Sequence, residues 1–203
     1  MSRARARAEA GALALVVALC GGAAAQEALV SVYSDISRGR CATHDGRAAR
    51  ARAAGDHDPV VYRCPTLPGR SVELRFMGAA VGLAFGAPAK RTTPMQLATG
   101  YDVGPRIEWR GLGAGAAFQP KAAILRLVER DETGKPGSAL AILKVEGTEV
   151  CAAGFVDGAR ADANAAARRL ADDIAGDFAC GATPRVVGPL SPAAQIIFER
   201  NRN

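Results

Sequence analysis

The sequence has 203 residues and a formal net charge of +6, with acidic and basic side chains interleaved along most of its length. This charge is too small for the basic footprint of a nucleic-acid-binding protein, so we expect no nucleic-acid partner. The length suits one domain with a single substantial core, and no segment after the amino-terminal leader is apolar enough to predict a transmembrane segment.

Residues 1–25 have the order of features that is typical of a secretory signal peptide. Three arginines give a positive start, an apolar stretch covers residues 10–19, and small residues precede Gln26. We therefore place cleavage between Ala25 and Gln26, which predicts a periplasmic or secreted protein. The leader carries two of the six net positive charges, so about +4 remains after cleavage.

A lipoprotein is the alternative interpretation of the same leader, because Cys20 stands near its end and is followed by Gly21. The residue before a lipidated cysteine is normally small, and Leu19 does not fit that pattern. We favour the free form over the lipid-anchored form, and the sequence leaves both open.

The cysteines that follow the leader predict two disulfides. They are Cys41, Cys64, Cys151 and Cys180. An even number in a chain sent to an oxidising compartment is expected to pair, and four cysteines allow three connectivities. We favour Cys41 with Cys64 and Cys151 with Cys180, because each pair closes one compact supersecondary unit. No Cys-x-x-Cys spacing is present, which argues against zinc.

Residues 42–58 are polar, charged and rich in arginine, alanine and glycine, which predicts a mobile loop. The sequence has only two histidines, His44 and His57, and both fall in this loop beside aspartates. Histidine and aspartate side chains can bind a divalent metal, but a metal site needs rigid support for its ligands. We therefore assign no metal site.

Alternating apolar and polar residues predict a series of strands. Ser71–Met77 and Val81–Phe85 alternate with their apolar residues on one side, which indicates a hairpin. Residues 87–105 contain several prolines and glycines and predict a long connection. Beyond it, an antiparallel meander is predicted. Its strands are residues 107–110, 122–128, 140–145 and 150–156, and Trp109 faces the core.

A helix is predicted over residues 162–178, where apolar residues recur at helical spacing and would lie on the sheet. Arg168 and Arg169 lie on the opposite face, at the spacing that allows i,i+4 pairs with Asp172 and Asp173. Residues 184–203 predict an extended, partly mobile tail. The expected fold is a single α+β domain, residues 26–183, in which a meander of about five to six strands is covered by one carboxy-terminal helix.

Three charged residues on neighbouring predicted strands are candidates for ligand binding. Glu108, Arg110 and Arg126 project from one face of the sheet, where they could bind an anion or form cross-strand ion pairs. Ion pairs of this kind are more often structural. The glycine-rich segment 111–115 lacks the lysine and following helix of a phosphate loop, so we interpret it as a hairpin turn.

Several short motifs are spread over most of the mature chain. They are Tyr33-Ser34-Asp35-Ile36, Tyr62-Arg63-Cys64, Ile107-Glu108-Trp109-Arg110, Ala123-Ile124-Leu125-Arg126, the segment 144–151, and Phe178-Ala179-Cys180. This pattern resembles an uncharacterised family of exported proteobacterial proteins. The resemblance implies export, the four cysteines and the domain limits. It implies no chemistry, because no activity is established for the family.

The sequence contains no recognisable catalytic motif and calls for no cofactor. We expect a non-enzymatic periplasmic binding or envelope-interaction module, whose partner is an envelope component or a small ligand. The alternative is a small carboxylate-dependent hydrolase of the cell envelope that pairs Glu108 with Asp157 or Asp35. A purely structural envelope protein is a third possibility.

Overall fold

The computed structural model describes residues 28–43, 60–77, 80–86, 96–147 and 149–202. In chain order, the strands are β1 Val30–Asp35, β2 Ala42–Thr43, β3 Val60–Pro65, β4 Ser71–Met77, β5 Ala80–Gly86, β6 Gln96–Thr99, β7 Asp102–Leu112, β8 Gln119–Arg130, β9 Pro136–Glu146, β10 Glu149–Asp157 and β11 Arg185–Val187. The helices are α1 Ala163–Asp177, between β10 and β11, and α2 Pro192–Asn201, after β11.

Six of the strands form one sheet, here called sheet A, in the order β1-β7-β8-β9-β10-β11. Strands β7 to β10 follow one another as an antiparallel meander. This confirms the meander that the sequence predicts. Strand β1 adds antiparallel to β7 at one end of the sheet, and β11 adds parallel to β10 at the other.

The other five strands form sheet B in the order β2-β3-β4-β5-β6, and each pairs antiparallel with its neighbour. The predicted hairpin is present as β4 and β5, with Leu74 opposite Leu83. One meander of five to six strands was expected, and the structure instead divides the strands between two sheets. Alternation shows which side of a strand is apolar. It does not show whether two hairpins lie side by side or face to face.

The main core lies between the two sheets. It takes Val72, Leu74 and Leu83 from sheet B, and Trp109 and Phe155 from sheet A. Trp109 is 1% exposed, as its predicted inward orientation requires, and its indole Nε1 donates to Ser34 Oγ at 2.9 Å. The ring of Phe85 meets Trp109 edge to face, with centroids 6.5 Å apart, a favourable geometry for two aromatic rings.

Helix α1 covers the opposite face of sheet A, as predicted. The buried side chains on the helix are Ala163, Ala166, Ala167, Leu170, Ala171 and Ile174, and Phe178 follows at its end. They pack on the face of β8, β9 and β10 that points away from sheet B, where Ile124, Leu140 and Ile142 are buried. The central strands are therefore covered on both faces, which explains their long apolar runs.

The end of the chain differs from the extended tail expected for residues 184–203. Pro192–Asn201 forms helix α2, whose buried Ala194 and Ile197 belong to the main core beside sheet B. Pro192 lies in the first turn, where a missing backbone N–H costs nothing. Pro184 and Pro189 come just before this helix. Proline-rich segments ordinarily predict extended chain, which is why the sequence pattern did not predict the helix.

Both favoured disulfides are present, Cys41–Cys64 and Cys151–Cys180. The first joins the segment after β1 to strand β3, and Cys64 is fully buried. The second joins β10 to the chain just after α1. Disulfides are typical of extracytoplasmic compartments. Within the ranges that the structure describes, no helix is both long and apolar enough to cross a bilayer.

Candidate functional site

The predicted charged residues Glu108, Arg110 and Arg126 all lie on the face of sheet A that carries helix α1. Each contacts one residue of that helix. Arg126 meets Asn164, Glu108 meets Arg168, and Arg110 meets Asp172. These helix residues are spaced by four and therefore form one stripe along α1. The helix covers Glu108 and Arg110, whose side chains are nearly buried, and leaves Arg126 half-buried.

Arg110 and Asp172 form a two-pronged ion pair between β7 and α1. Arg110 Nε lies 2.8 Å from Asp172 Oδ1, and Arg110 Nη2 lies 2.6 Å from Oδ2. Arg110 Nη1 also donates to Ser31 Oγ of β1 at 2.8 Å. The residue is only 9% exposed, so these bonds replace the water that burial removes from its guanidinium.

Glu108 has its own partners one turn of the helix away. Ser31 Oγ donates to it at 2.5 Å, and Arg168 Nε donates at 2.6 Å. Arg168 Nη2 also donates to the hydroxyl of Tyr33 at 3.1 Å. Ser31 thus links the two ion pairs, because it accepts from Arg110 and donates to Glu108. We call these five residues, together with Asp172, the β7–α1 network.

The network holds Glu108 and Arg168 in their charged forms. Burial raises the pKa of Glu108, but hydrogen bonds from Arg168 and Ser31 outweigh burial and leave this pKa below its ordinary value. The bond to Glu108 raises the pKa of Arg168. Two acids and two bases are present, and their charges cancel. A ligand anion at this place would have to displace one of the carboxylates.

Arg126 lies on the same face as Glu108 but has different partners. Its Nη1 donates to Ser138 Oγ at 2.8 Å, and its Nη2 reaches Asn164 Oδ1 at 3.4 Å. Each of these partners is neutral. The structure therefore brings Glu108 and Arg110 into one network and places Arg126 beside the first turn of α1, outside it.

The pair of Glu108 with Asp157, considered for a hydrolase, does not converge in the structure. Glu108 is on β7 and Asp157 ends β10, three strands away, or about 14 Å at the usual strand spacing. Glu108 bonds to Arg168 of α1 on one face of the sheet. Asp157 accepts from the backbone N–H of Ser191, just before α2, which lies on the opposite face.

The second possible partner, Asp35, is a diagonal neighbour of Glu108, since Tyr33 is directly opposite Glu108. Hydrogen bonds from Ser37 lower the pKa of Asp35, and the pKa of Glu108 is lowered as well. General acid catalysis needs a carboxyl group that keeps its proton near the working pH. Neither member of this pair has that property.

Two other predicted features can be placed. Segment 111–115 covers the end of β7 and the start of its connection to β8, with φ of +77° at Gly113 and +54° at Gly115, which fits the predicted turn. His44 and His57 lie outside the described residues. Within the described residues, no group of three or more histidine, cysteine or acidic side chains is placed to hold a metal ion.

Strand β1, which we did not predict, has an open edge. Ile36 N donates to Pro105 O of the segment opposite, at 2.8 Å. Antiparallel strands alternate between residues that bond their neighbour and residues that do not. The backbone N–H and C=O groups of Ser31, Tyr33 and Asp35 therefore point away from β7. Within the described part of the chain, β7 is the only neighbour of β1.

The exposed side chains of β1 distinguish it from the buried strands. Tyr33 is 53% exposed and Val30 is 44% exposed, although both are large apolar residues. The six-residue pairing with β7 contains no bulge, and the strand contains no proline or lysine. Natural sheets use those features to protect their edges. The alternation of valine, serine and tyrosine over residues 30–34 was the sequence signal for this strand.

The other sheet edges in the described structure are short or blocked. Strands β2 and β11 have two and three residues. The edge of β6 is covered at Ala98 by the side chain of Asn201, which bonds both the backbone N–H and the backbone C=O. Strand β1 is the longest edge strand, and its outward backbone groups make it the most accessible place for another extended chain.

We compared the chain with protein-family models, with curated proteins and with solved structures, and none of them matches it.

Proposed function

We propose that this protein is a non-enzymatic binding module of the periplasm or the extracellular space, and that it binds its partner through the open edge of β1. One observation carries the proposal. Within the described residues, the outward backbone donors and acceptors of Ser31, Tyr33 and Asp35 have no strand partner, and the exposed apolar side chains of Val30 and Tyr33 lie beside them. Such an edge can accept a strand from a partner, because the new backbone hydrogen bonds replace bonds to water.

The proposal includes export by a signal peptide that is cleaved between Ala25 and Gln26, and membership in the exported proteobacterial family that the sequence resembles. Two disulfides, one of which includes the fully buried Cys64, support export to an oxidising compartment. Intact mass of the protein purified from its native host tests the processing. A chain that begins at Gln26 is expected, and one that retains residues 1–25 would contradict export by this route.

The β7–α1 network has a supporting role in this proposal. Its two ion pairs tie β7 to helix α1. The hydroxyl groups of Ser31 and Tyr33 join β1 to the same network by hydrogen bonds. A strand that accepts a partner must keep its own position while the partner binds. The side chains of Ser31 and Tyr33 are anchored, which leaves their backbone groups free at the edge.

The experiment compares the wild-type protein with two substitutions at one position. Tyr33→Pro removes the outward N–H, and proline is tolerated at an edge where that N–H faces solvent. Tyr33→Thr also removes the aromatic ring but keeps the N–H. Each purified protein is used to capture partners from a periplasmic extract. The proposal predicts a partner that the wild type and Tyr33→Thr retain and Tyr33→Pro loses.

Circular dichroism of each variant checks that it is folded before capture. If folded Tyr33→Pro retains the same partners as Tyr33→Thr, the edge of β1 is not the binding element. If the wild type captures nothing, the proposed binding function is wrong for that compartment.

A further inference from the structure

We infer that the partner of the β1 edge is an extended, acidic peptide segment. This inference rests on the proposed function, and it adds the chemistry of the partner. It is carried by the charges at the carboxy-terminal end of β1, where Asp35 ends the strand and a short 3₁₀ turn, Arg38–Arg40, follows.

Three arginines surround this end of the strand. Arg38 and Arg40 have side chains that are 55% and 74% exposed, and Arg106 is exposed on β7 directly opposite Asp35. Among the described residues, two acids form ion pairs with Arg38 and Arg40, and these are Asp102 and Asp35. The end of the edge therefore carries an excess of positive charge.

The ion pairs at this end are loose, in contrast to those of the β7–α1 network. Arg38 Nη2 lies 3.8 Å from Asp102 Oδ1, and Arg40 Nε lies 3.7 Å from Asp35 Oδ2. The corresponding distances in the network are 2.6 Å. The carboxylate of Asp35 is already engaged, because its Oδ1 accepts a hydrogen bond from the backbone N–H of Ser37 at 2.8 Å. The guanidinium groups of Arg38 and Arg40 thus have capacity for further carboxylates.

Arg38 is held in place by an aromatic ring. Its guanidinium carbon lies 4.2 Å from the centroid of Phe76 on β4, a cation–π geometry that leaves the edge of the planar group available for hydrogen bonds. A strand added beside β1 would run along Ser31, Tyr33 and Asp35 and end near this group. Its carboxylates would then meet the arginines while its backbone pairs with the edge.

The direct test uses two short synthetic peptides that have the same length and the same alternating pattern and differ in the sign of their charge. One alternates valine and glutamate, and the other alternates valine and lysine. Binding to the isotope-labelled protein is followed by NMR, through the chemical shift and hydrogen exchange of the Tyr33 amide. The glutamate peptide is expected to slow exchange of this amide and to bind at least about tenfold more tightly than the lysine peptide.

Two further observations are expected for the glutamate peptide. Its affinity falls as the salt concentration rises, because exposed charge pairs are screened. Arg40→Ala weakens it by about threefold to tenfold, while the control Arg202→Ala, an exposed arginine at the end of α2, has no effect.

The outcomes separate this inference from the proposed function. If both peptides bind alike and protect the Tyr33 amide, the acidic preference is wrong and the binding edge stands. If neither peptide affects that amide at any concentration, the inference is wrong and the proposed edge is contradicted with it. If the protein forms dimers in sedimentation that Tyr33→Pro abolishes, a second copy is the occupant, and the inference is overturned.

Discussion

The side chain of Asn201 pairs with the backbone of Ala98 in the way that a neighbouring strand would. Ala98 N donates to Asn201 Oδ1 at 2.7 Å, and Asn201 Nδ2 donates to Ala98 O at 2.9 Å. Asn201 Nδ2 also bonds to Ile197 O of the same helix at 2.7 Å. A side-chain amide has both a donor and an acceptor, so one residue satisfies both groups of the edge residue. Helix α2 therefore protects the edge of β6.

We predict that Asn201→Ala destabilises the protein by about 1–3 kcal/mol, because Ala98 loses a partner for both of its backbone groups. The same substitution opens the edge of β6, so we also expect more self-association at high concentration. Chemical denaturation gives the free energy of unfolding, and light scattering gives the size of the particles.

Arg202→Ala is the matched control for this substitution. Arg202 is the next residue, and it forms an exposed ion pair with Glu199 at 2.6 Å. Exposed pairs of this kind contribute about 0–1 kcal/mol. Equal losses of stability in the two variants would show that the pairing of Asn201 with Ala98 has no special weight.

Much of the fold follows from local patterns in the sequence. The alternation around Leu74 predicts a strand, and the helical spacing of Leu170 and Ile174 predicts which face of α1 is buried. Both disulfides agree with the pairing favoured from local spacing. These features are predictable because each depends on residues that are close together in the chain.

The candidate site was harder to predict, because it depends on distant residues. Local spacing allowed Arg168 to pair with Asp172 along the helix. In the structure Arg168 bonds to Glu108, which lies 60 positions earlier, and Asp172 bonds to Arg110. The spacing of residues within the helix does not show that Arg168 and Asp172 of α1 face strand β7. The open edge of β1 was missed for a related reason, since it is defined by the absence of a second neighbouring strand among the described residues.

The ion pair between Arg110 and Asp172 is suited to a double-mutant cycle. We expect Asp172→Ala to cost about 1–3 kcal/mol, because it leaves a nearly buried guanidinium without its carboxylate. We expect Arg110→Met in the same chain to recover part of that loss, because the methionine needs no charge partner. Urea denaturation of the single and double variants gives the coupling energy.

The control for this cycle is Asp173→Ala, which removes an exposed acid from the next position of α1. Its effect on the free energy of unfolding is expected to stay within about 0.5 kcal/mol. A coupling energy of zero between Arg110 and Asp172 would show that the pair does not tie β7 to the helix.

The lowered pKa of Glu108 makes a prediction about acid stability. The ordinary pKa of glutamate is 4.5, and that of Glu108 is lower in the folded protein. The unfolded chain therefore binds this proton more readily, so the stabilisation is complete above the ordinary value and is lost as the pH falls through the lowered value. We expect the stability advantage of the wild type over Glu108→Gln to shrink as the pH falls from neutral to about 3.

Urea denaturation of both proteins at each pH measures this difference. The other carboxyl groups are present in both chains, so their titration cancels in the comparison. An advantage that grows on acidification would mean that the pKa of Glu108 is raised in the folded state.

The two disulfides differ in accessibility. Cys180 is exposed at the end of α1, whereas Cys64 is fully buried in the main core. Thiol–disulfide exchange requires a thiolate to reach one of the sulfurs. We therefore predict that a mild reductant opens Cys151–Cys180 before Cys41–Cys64, with a loss of about 2–4 kcal/mol of stability.

Alkylation at intervals, followed by mass spectrometry of the peptides, identifies which cysteines become free first. Equal rates for the two bonds, or earlier reduction of Cys41–Cys64, would contradict the prediction. Added urea supplies the control, because it exposes both bonds and is expected to remove the difference between them.

Gly154 marks a close approach between β10 and helix α1. A Cβ at this position would lie 2.6 Å from Leu170 Cδ2 and 3.1 Å from the backbone oxygen of Arg185. The leucine can shift only by disturbing its packed neighbours, and the backbone oxygen belongs to β11. We predict that Gly154→Ala lowers the free energy of unfolding by about 1–3 kcal/mol through overpacking.

Gly176→Ala is the control, because this glycine lies in α1 and a Cβ there meets nothing within 4 Å. It is expected to raise the free energy of unfolding by about 0.5–1 kcal/mol, since alanine favours the helix. Thermal denaturation of both variants measures the change in stability, which is expected to have opposite signs for the same glycine-to-alanine substitution. If Gly154→Ala were also stabilising, β10 and α1 would have room between them, and the tight contact that seats the helix on sheet A would not exist.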